Sequence, residues 1–158
     1  MLLTQHFRDV LSELSAAQAD FLIVGAWAMS AYQMRRATCD LDIWVRPSPE
    51  NAQRVWDALA RFGAPLTTYD ITLDELSKPG LVFQLGKDPH RIDFLTVIDG
   101  IQFDEAWESR EHYPIDGITV PVLSIPHLLR NKRVSGRPKD RYDVDWIERK
   151  YGLGESKP

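Results

Sequence analysis

The sequence predicts an α+β fold: a mixed sheet flanked by helices, ending in a C-terminal helical hairpin. Three observations predict it. Residues 21–45 run from a short apolar segment through a glycine into two helical turns, then into a second, alternating segment. Residues 81–97 and 113–122 each read as two short strands about a turn. Residues 124–151 hold two helical segments divided by Gly136 and Pro138.

Taken in order, Phe7, Val10, Leu11 and Leu14 recur at three- and four-residue steps, so residues 4–19 should form an amphipathic helix. Phe21-Leu22-Ile23-Val24 is a buried strand that ends in Gly25, and Trp27 to Tyr32 make a short helix. Residues 38–45 alternate as a strand, with Asp40, Asp42 and Trp44 on one side and Cys39, Leu41, Ile43 and Val45 on the other. Ser48-Pro49-Glu50 starts a helix with a capping hydroxyl, a first-turn proline and an acid. That helix reaches Arg61 or Phe62 with Val55, Trp56, Leu59 and Phe62 inward, and Gly63 closes it. Thr72 and Glu75 match a capping box. Strands over 81–85 and 91–97 join through residues 86–90, a helix over 103–110 points Trp107 inward, and Asp116-Gly117 makes a tight hairpin. The whole chain, 1–158, reads as one domain, with a core over 1–122 and the helical hairpin over 123–152.

A chain of 158 residues, 44% hydrophobic and 27% charged, has the composition of a globular domain and not of a disordered one. Its net charge of −4 argues against a protein that coats nucleic acid non-specifically and leaves a local basic patch open. A single cysteine, Cys39, excludes an internal disulfide and fits a reducing, cytoplasmic setting. No apolar run approaches a membrane span, and the N-terminus carries charges at helical spacing, so neither membrane insertion nor a signal peptide is expected.

Asp40 and Asp42 carry the chemistry. On a strand they project to one face, roughly 6–7 Å apart. Two like charges repel and are costly to desolvate, whereas a divalent cation between them removes both objections. Asp93 interrupts an apolar strand, Ile92-Asp93-Phe94-Leu95. If that strand lies beside the first, three carboxylates converge into a hard-oxygen site for Mg²⁺ or Mn²⁺, suited with two metals to in-line displacement at phosphorus. The plain alternative is that each is a strand-end acid facing water, since Asp-x-Asp alone is unspecific. The four histidines show no metal-ligand spacing, and Cys39 should face the core. The five tryptophans read as core, and Trp44, on the carboxylate face, either packs inertly or lies near a base. Arg130, Lys132, Arg133, Arg137, Lys139 and Arg141 segregate into the C-terminal hairpin with only Asp140 opposing them.

Val24-Gly25, then Arg36-x-Thr38-x-Asp40-x-Asp42, then Ile92-Asp93-Phe94 resembles the nucleotidyltransferase superfamily that shares the DNA polymerase β fold. The arrangement is most similar to the small bacterial minimal nucleotidyltransferases and the AbiEii-type toxin group. The run from Leu128 through Lys132, Gly136-Arg137-Pro138-Lys139-Asp140 to Asp143 resembles that group's second signature. The resemblance implies that Gly25 and Ala26 form the turn that meets the triphosphate, although Ala26 offers no hydroxyl where the family has glycine or serine. It implies Asp40, Asp42 and Asp93 as ligands of Mg²⁺ or Mn²⁺, with Asp93 also helping to deprotonate the acceptor. Arg36 and Lys132 would contact phosphate and Thr38 would support the strand start. Asp143 is either a further catalytic acid or the partner of Lys139 in a helix salt bridge.

The implied activity is transfer of a nucleoside monophosphate from an NTP to an acceptor hydroxyl on a protein, a tRNA 3′ end or a small molecule. A different reading is a catalytically weak module on the same fold that acts by protein or RNA binding in a toxin–antitoxin pair. A metal-dependent phosphodiesterase is a third.

Overall fold

The computed structural model describes residues 3–34 and 40–154. Thr4 caps the first helix, α1 (Gln5–Ala16), by accepting a hydrogen bond from the Phe7 amide, and the apolar stripe from Phe7 to Leu14 is buried as expected. All four residues of β1 (Phe21–Val24) are buried, which suits a strand covered on both faces. Helix α2 (Gly25–Ala31) follows without an intervening residue, starting two residues before the expected Trp27. Strand β2 (Leu41–Val45) is shorter than the expected 38–45, and the expected Thr38 and Cys39 positions lie outside the described residues.

Ser48 caps α3 (Pro49–Phe62) by accepting from the Asn51 amide, and Gly63 ends it at φ 94°. Val55 and Leu59 are fully buried, whereas Trp56 and Phe62 are only partly covered, because Ala52 and Ala58 complete the inward stripe. Thr72 caps the single turn of α4 (Leu73–Leu76) from the Glu75 amide, with the reciprocal side-chain contact of a capping box. Strands β3 (Val82–Leu85) and β4 (Ile92–Leu95) pair antiparallel. β4 stops two residues short of Val97: the ladder ends where the Thr96 hydroxyl accepts from the Leu81 amide at 2.8 Å.

Helix α5 (Phe103–Glu108) leads into β5 (Glu111–Ile115) and β6 (Ile118–Val122). Asp116 and Gly117 join them with φ of 48° and 81°, the two left-handed residues that a tight hairpin turn needs. Helices α6 (Ile125–Ser135) and α7 (Pro138–Tyr151) form the C-terminal hairpin, and Gly136 at φ 62° turns the chain between them. No helix among the described residues is long and apolar enough to cross a membrane.

The sheet order is β3-β4-β2-β1-β6-β5. β2 runs parallel to β4 and β1 parallel to β6, while the other pairs are antiparallel, so the sheet is mixed. In β2 the Leu41, Ile43 and Val45 side is buried throughout. The opposite side changes along its length. Trp44 is 1% exposed and packs edge-on against Phe103 at 4.9 Å, so the inert reading of Trp44 holds. One pleat earlier, at Asp42, that covering stops and the sheet opens.

Candidate active site

The register of two parallel strands places the carboxylates. Asp42 of β2 and Asp93 of β4 are direct partners, and Val24 at the end of β1 stands opposite Asp42 on the other side. Neighbouring strands lie about 4.8 Å apart and paired residues point the same way, so Asp42 and Asp93 are forced side by side. Asp40, two residues before Asp42, shares the face. All three line one cavity of about 390 Å³, together with Gly25, Ala26 and the α6–α7 hairpin. Gly25 sits at φ +65°, and a Cβ there would lie 2.2 Å from Asp42 Oδ2. Its backbone is pressed onto the carboxylate, so glycine is required both for conformation and for space. The left-handed residue is Gly25 itself, and Ala26 takes ordinary helical geometry.

Arg91 joins the acids. Its Nε donates to Asp93 Oδ1 at 2.9 Å, and its Nη2 reaches Asp93 Oδ2 at 3.3 Å and Asp40 Oδ2 at 2.5 Å. One guanidinium does not balance the site. Asp40 Oδ1 is buried, and among the described residues it has no hydrogen-bond donor. Burial pushes the Asp40 carboxyl up, with Asp88 adding to the rise and Arg91 only partly opposing it. Burial, then repulsion from Asp93 and Asp40, pushes Asp42 up from 3.8 to about 7, against the pull of Lys139 and Arg91. Among the described residues no three acids, histidines or cysteines are already gathered as a metal cluster. The donor set is nevertheless that of a hard cation: buried carboxylate oxygens, one of them orphaned, in a site short of positive charge.

The far wall is an ion cluster between α6 and α7. Lys132 Nζ lies 2.7 Å from Asp143 Oδ2 and 3.6 Å from Asp140 Oδ1, with all three side chains under a tenth exposed. Asp140 Oδ2 also accepts from Ser135 Oγ at 2.7 Å and Arg137 Nε at 3.0 Å. Burial alone would raise the Asp140 carboxyl; those hydrogen bonds and the Lys132 charge outweigh it and hold Asp140 below the usual range. Lys132 is thus the centre of a buried network that fixes the hairpin. The exposed cations on this wall are Arg137 and Lys139.

A family model described as "Nucleotidyl transferase of unknown function (DUF2204)" matches residues 3–157. The chain belongs to this family. The fold agrees: a solved structure from Thermotoga maritima, of a protein assigned as a nucleotidyltransferase, superposes with a TM-score of 0.58 over 90% of this chain and 90% of that one, at 13% identity. At that identity the likeness shows the fold, which is the nucleotidyltransferase fold. No curated protein matches the chain.

In this nucleotidyl transferase family member the structure brings Gly25, Ala26, Asp40, Asp42, Asp93, Lys132 and Asp143 to one cavity. Arg36 and Thr38 lie outside the described residues. Asp143, read from sequence as a catalytic acid or a partner of Lys139, accepts a hydrogen bond from Lys132 Nζ at 2.7 Å. Arg91, Gln84 and Asp140 were not singled out. A signal existed for Arg91: it stands two residues before Asp93 and so on the same face of a strand. Gln84 required the register, which pairs it with Asp93 across β3 and β4.

The raised Asp42 carboxyl makes a stability prediction. The folded chain holds this proton more tightly than the unfolded chain, so the contribution of Asp42 to stability is full below pH 3.8 and is lost as the pH rises through about 7. Asp42→Asn cannot ionise and escapes that loss. Urea denaturation in the presence of a chelator should show the variant gaining about 1–3 kcal/mol over wild type between acidic and mildly alkaline pH. An equal difference at both pH values contradicts the electrostatic account. Lys132→Met removes the cation shared by two buried carboxylates and should cost about 3 kcal/mol or more, read from the same denaturation curves.

Proposed function

We propose that the protein transfers a nucleoside monophosphate from an NTP to an acceptor hydroxyl, with Mg²⁺ or Mn²⁺ held by Asp40, Asp42 and Asp93. The observation that carries this reading is the register that sets Asp42 beside Asp93, directly under the Gly25 turn. Phosphates and carboxylates are mutually repulsive, and a site that offers both acids and cations to one cavity suits a substrate brought in as a metal–polyphosphate complex. When bound, the metal would neutralise charge on the phosphates and on the pyrophosphate that leaves.

The chain's own residues divide the remaining work. The backbone of Gly25 and Ala26, with no side chain in the way, faces the phosphates. Lys139 supplies an exposed positive charge, and Arg137 a second at the rim. The acceptor oxygen attacks the α-phosphorus, the bond to the β-phosphate oxygen breaks, and pyrophosphate departs with the electron pair. Asp93 takes the proton from the acceptor hydroxyl. The Lys132–Asp140–Asp143 cluster holds the α6–α7 hairpin against the phosphate side and so positions Lys139.

Incubation with labelled ATP, CTP, GTP or UTP, Mg²⁺ and cell lysate should yield a labelled acceptor and pyrophosphate. Asp42→Asn and Asp93→Asn should each lower transfer by about a hundredfold or more while the circular dichroism spectrum stays native. Absence of transfer with every nucleotide, or activity retained in either variant, contradicts the reading.

A further inference from the structure

The three carboxylates are not equally ready for a cation. Arg91 takes both oxygens of Asp93 and one of Asp40. Among the described residues no donor reaches Asp40 Oδ1, and no hydrogen bond is made by the Asp42 carboxylate. The Asp40–Asp42 side of the site is therefore open, and the Asp93 side is occupied by a protein cation. Arg91 is fixed at its base and partly open to solvent at its side chain. Its carbonyl accepts from the Leu41 amide at 3.1 Å, which fixes the backbone across β2, while its side chain remains 28% exposed on the cavity wall.

We propose that Arg91 is a resident counterion that withholds Asp93 from divalent metal until nucleotide arrives, and then moves to the phosphates. The inference rests on the transferase reading above. A guanidinium is suited to this exchange because its planar fork grips carboxylate and phosphate with the same bidentate geometry. Leaving Asp93 loses two charge-assisted hydrogen bonds, and an arriving polyphosphate offers equivalent ones. The metal gains the freed oxygens at the same moment. Nucleotide and metal thereby strengthen one another's binding, and the base Asp93 is released only when there is a substrate to act on.

The test is Mn²⁺ affinity without nucleotide, measured by electron paramagnetic resonance on wild type, Arg91→Gln and Arg91→Lys. Removing the competing charge should tighten Mn²⁺ binding about tenfold in Arg91→Gln. Arg91→Lys should gain about threefold, since one ammonium cannot bridge both carboxylates as the fork does. Mn²⁺ should also raise the melting temperature of Arg91→Gln more than that of wild type. Equal or weaker Mn²⁺ binding in Arg91→Gln overturns the inference. If that variant does not fold, an unchanged affinity in Arg91→Lys overturns it. Equilibrium dialysis of wild type with Mn²⁺ and a non-hydrolysable NTP separates the two levels. Mn²⁺ retained there, with no difference among the nucleotide-free proteins, removes the role of Arg91 and leaves the transferase reading standing. No retained Mn²⁺ in any state removes both.

Discussion

Burying like charges side by side is what the rest of this molecule has to accommodate. β2 and β4 run parallel with Asp42 and Asp93 in register, so the two carboxylates cannot separate without breaking the middle of the sheet. Asp40 adds a third negative charge at the start of the same strand face. Burial, with the repulsion of Asp93 and Asp40 added to it, raises the Asp42 carboxyl to about 7. Several features of the site answer that constraint. Gly25 has no side chain because one would strike Asp42, and Arg91 reaches across two of the acids without reaching a balance. A sheet built for stability alone would place apolar residues there, as it does one pleat away at Trp44.

The α6–α7 hairpin solves the opposite problem. Its basic residues segregate in the sequence, and the lysine at the signature position lies between Asp140 and Asp143. A buried ion cluster is a poor source of net stability, since desolvation offsets most of the attraction. It ties α7 to α6 beside the carboxylates, with Lys139 and Arg137 lining the same cavity. The same wall thus presents an exposed cation to a ligand while keeping its central cation for itself.

Much of this was legible in the sequence. Hydrophobic period located the first helix, and capping residues the next ones, because Ser48 and Thr72 act through local hydrogen bonds that need no tertiary context. Period two gave the side of its own strand on which Asp93 stands, and the parallel pairing of β2 with β4 brings it to the face of Asp40 and Asp42. What escaped was whatever depends on partner choice. Arg91 and Gln84 become site residues only once β4 is known to lie between β2 and β3. Lys132 has several acids within reach along the chain, and spacing on α7 favoured Lys139 as the partner of Asp143. The structure pairs Asp143 with Lys132 of the preceding helix because the Gly136 turn folds α7 back onto α6.

The central claim is that the acids at the end of β2 and β4 form a divalent-metal site for a nucleotide. A crystal structure of the protein with Mn²⁺ and a non-hydrolysable NTP tests it most directly, because anomalous scattering locates the metal independently of the protein density. The account predicts an anomalous peak about 2.1 Å from an oxygen of Asp42 and of at least one of Asp40 and Asp93, with the triphosphate over the Gly25 turn. Nucleotide bound elsewhere, or Mn²⁺ absent from these carboxylates at saturating concentration, would contradict it.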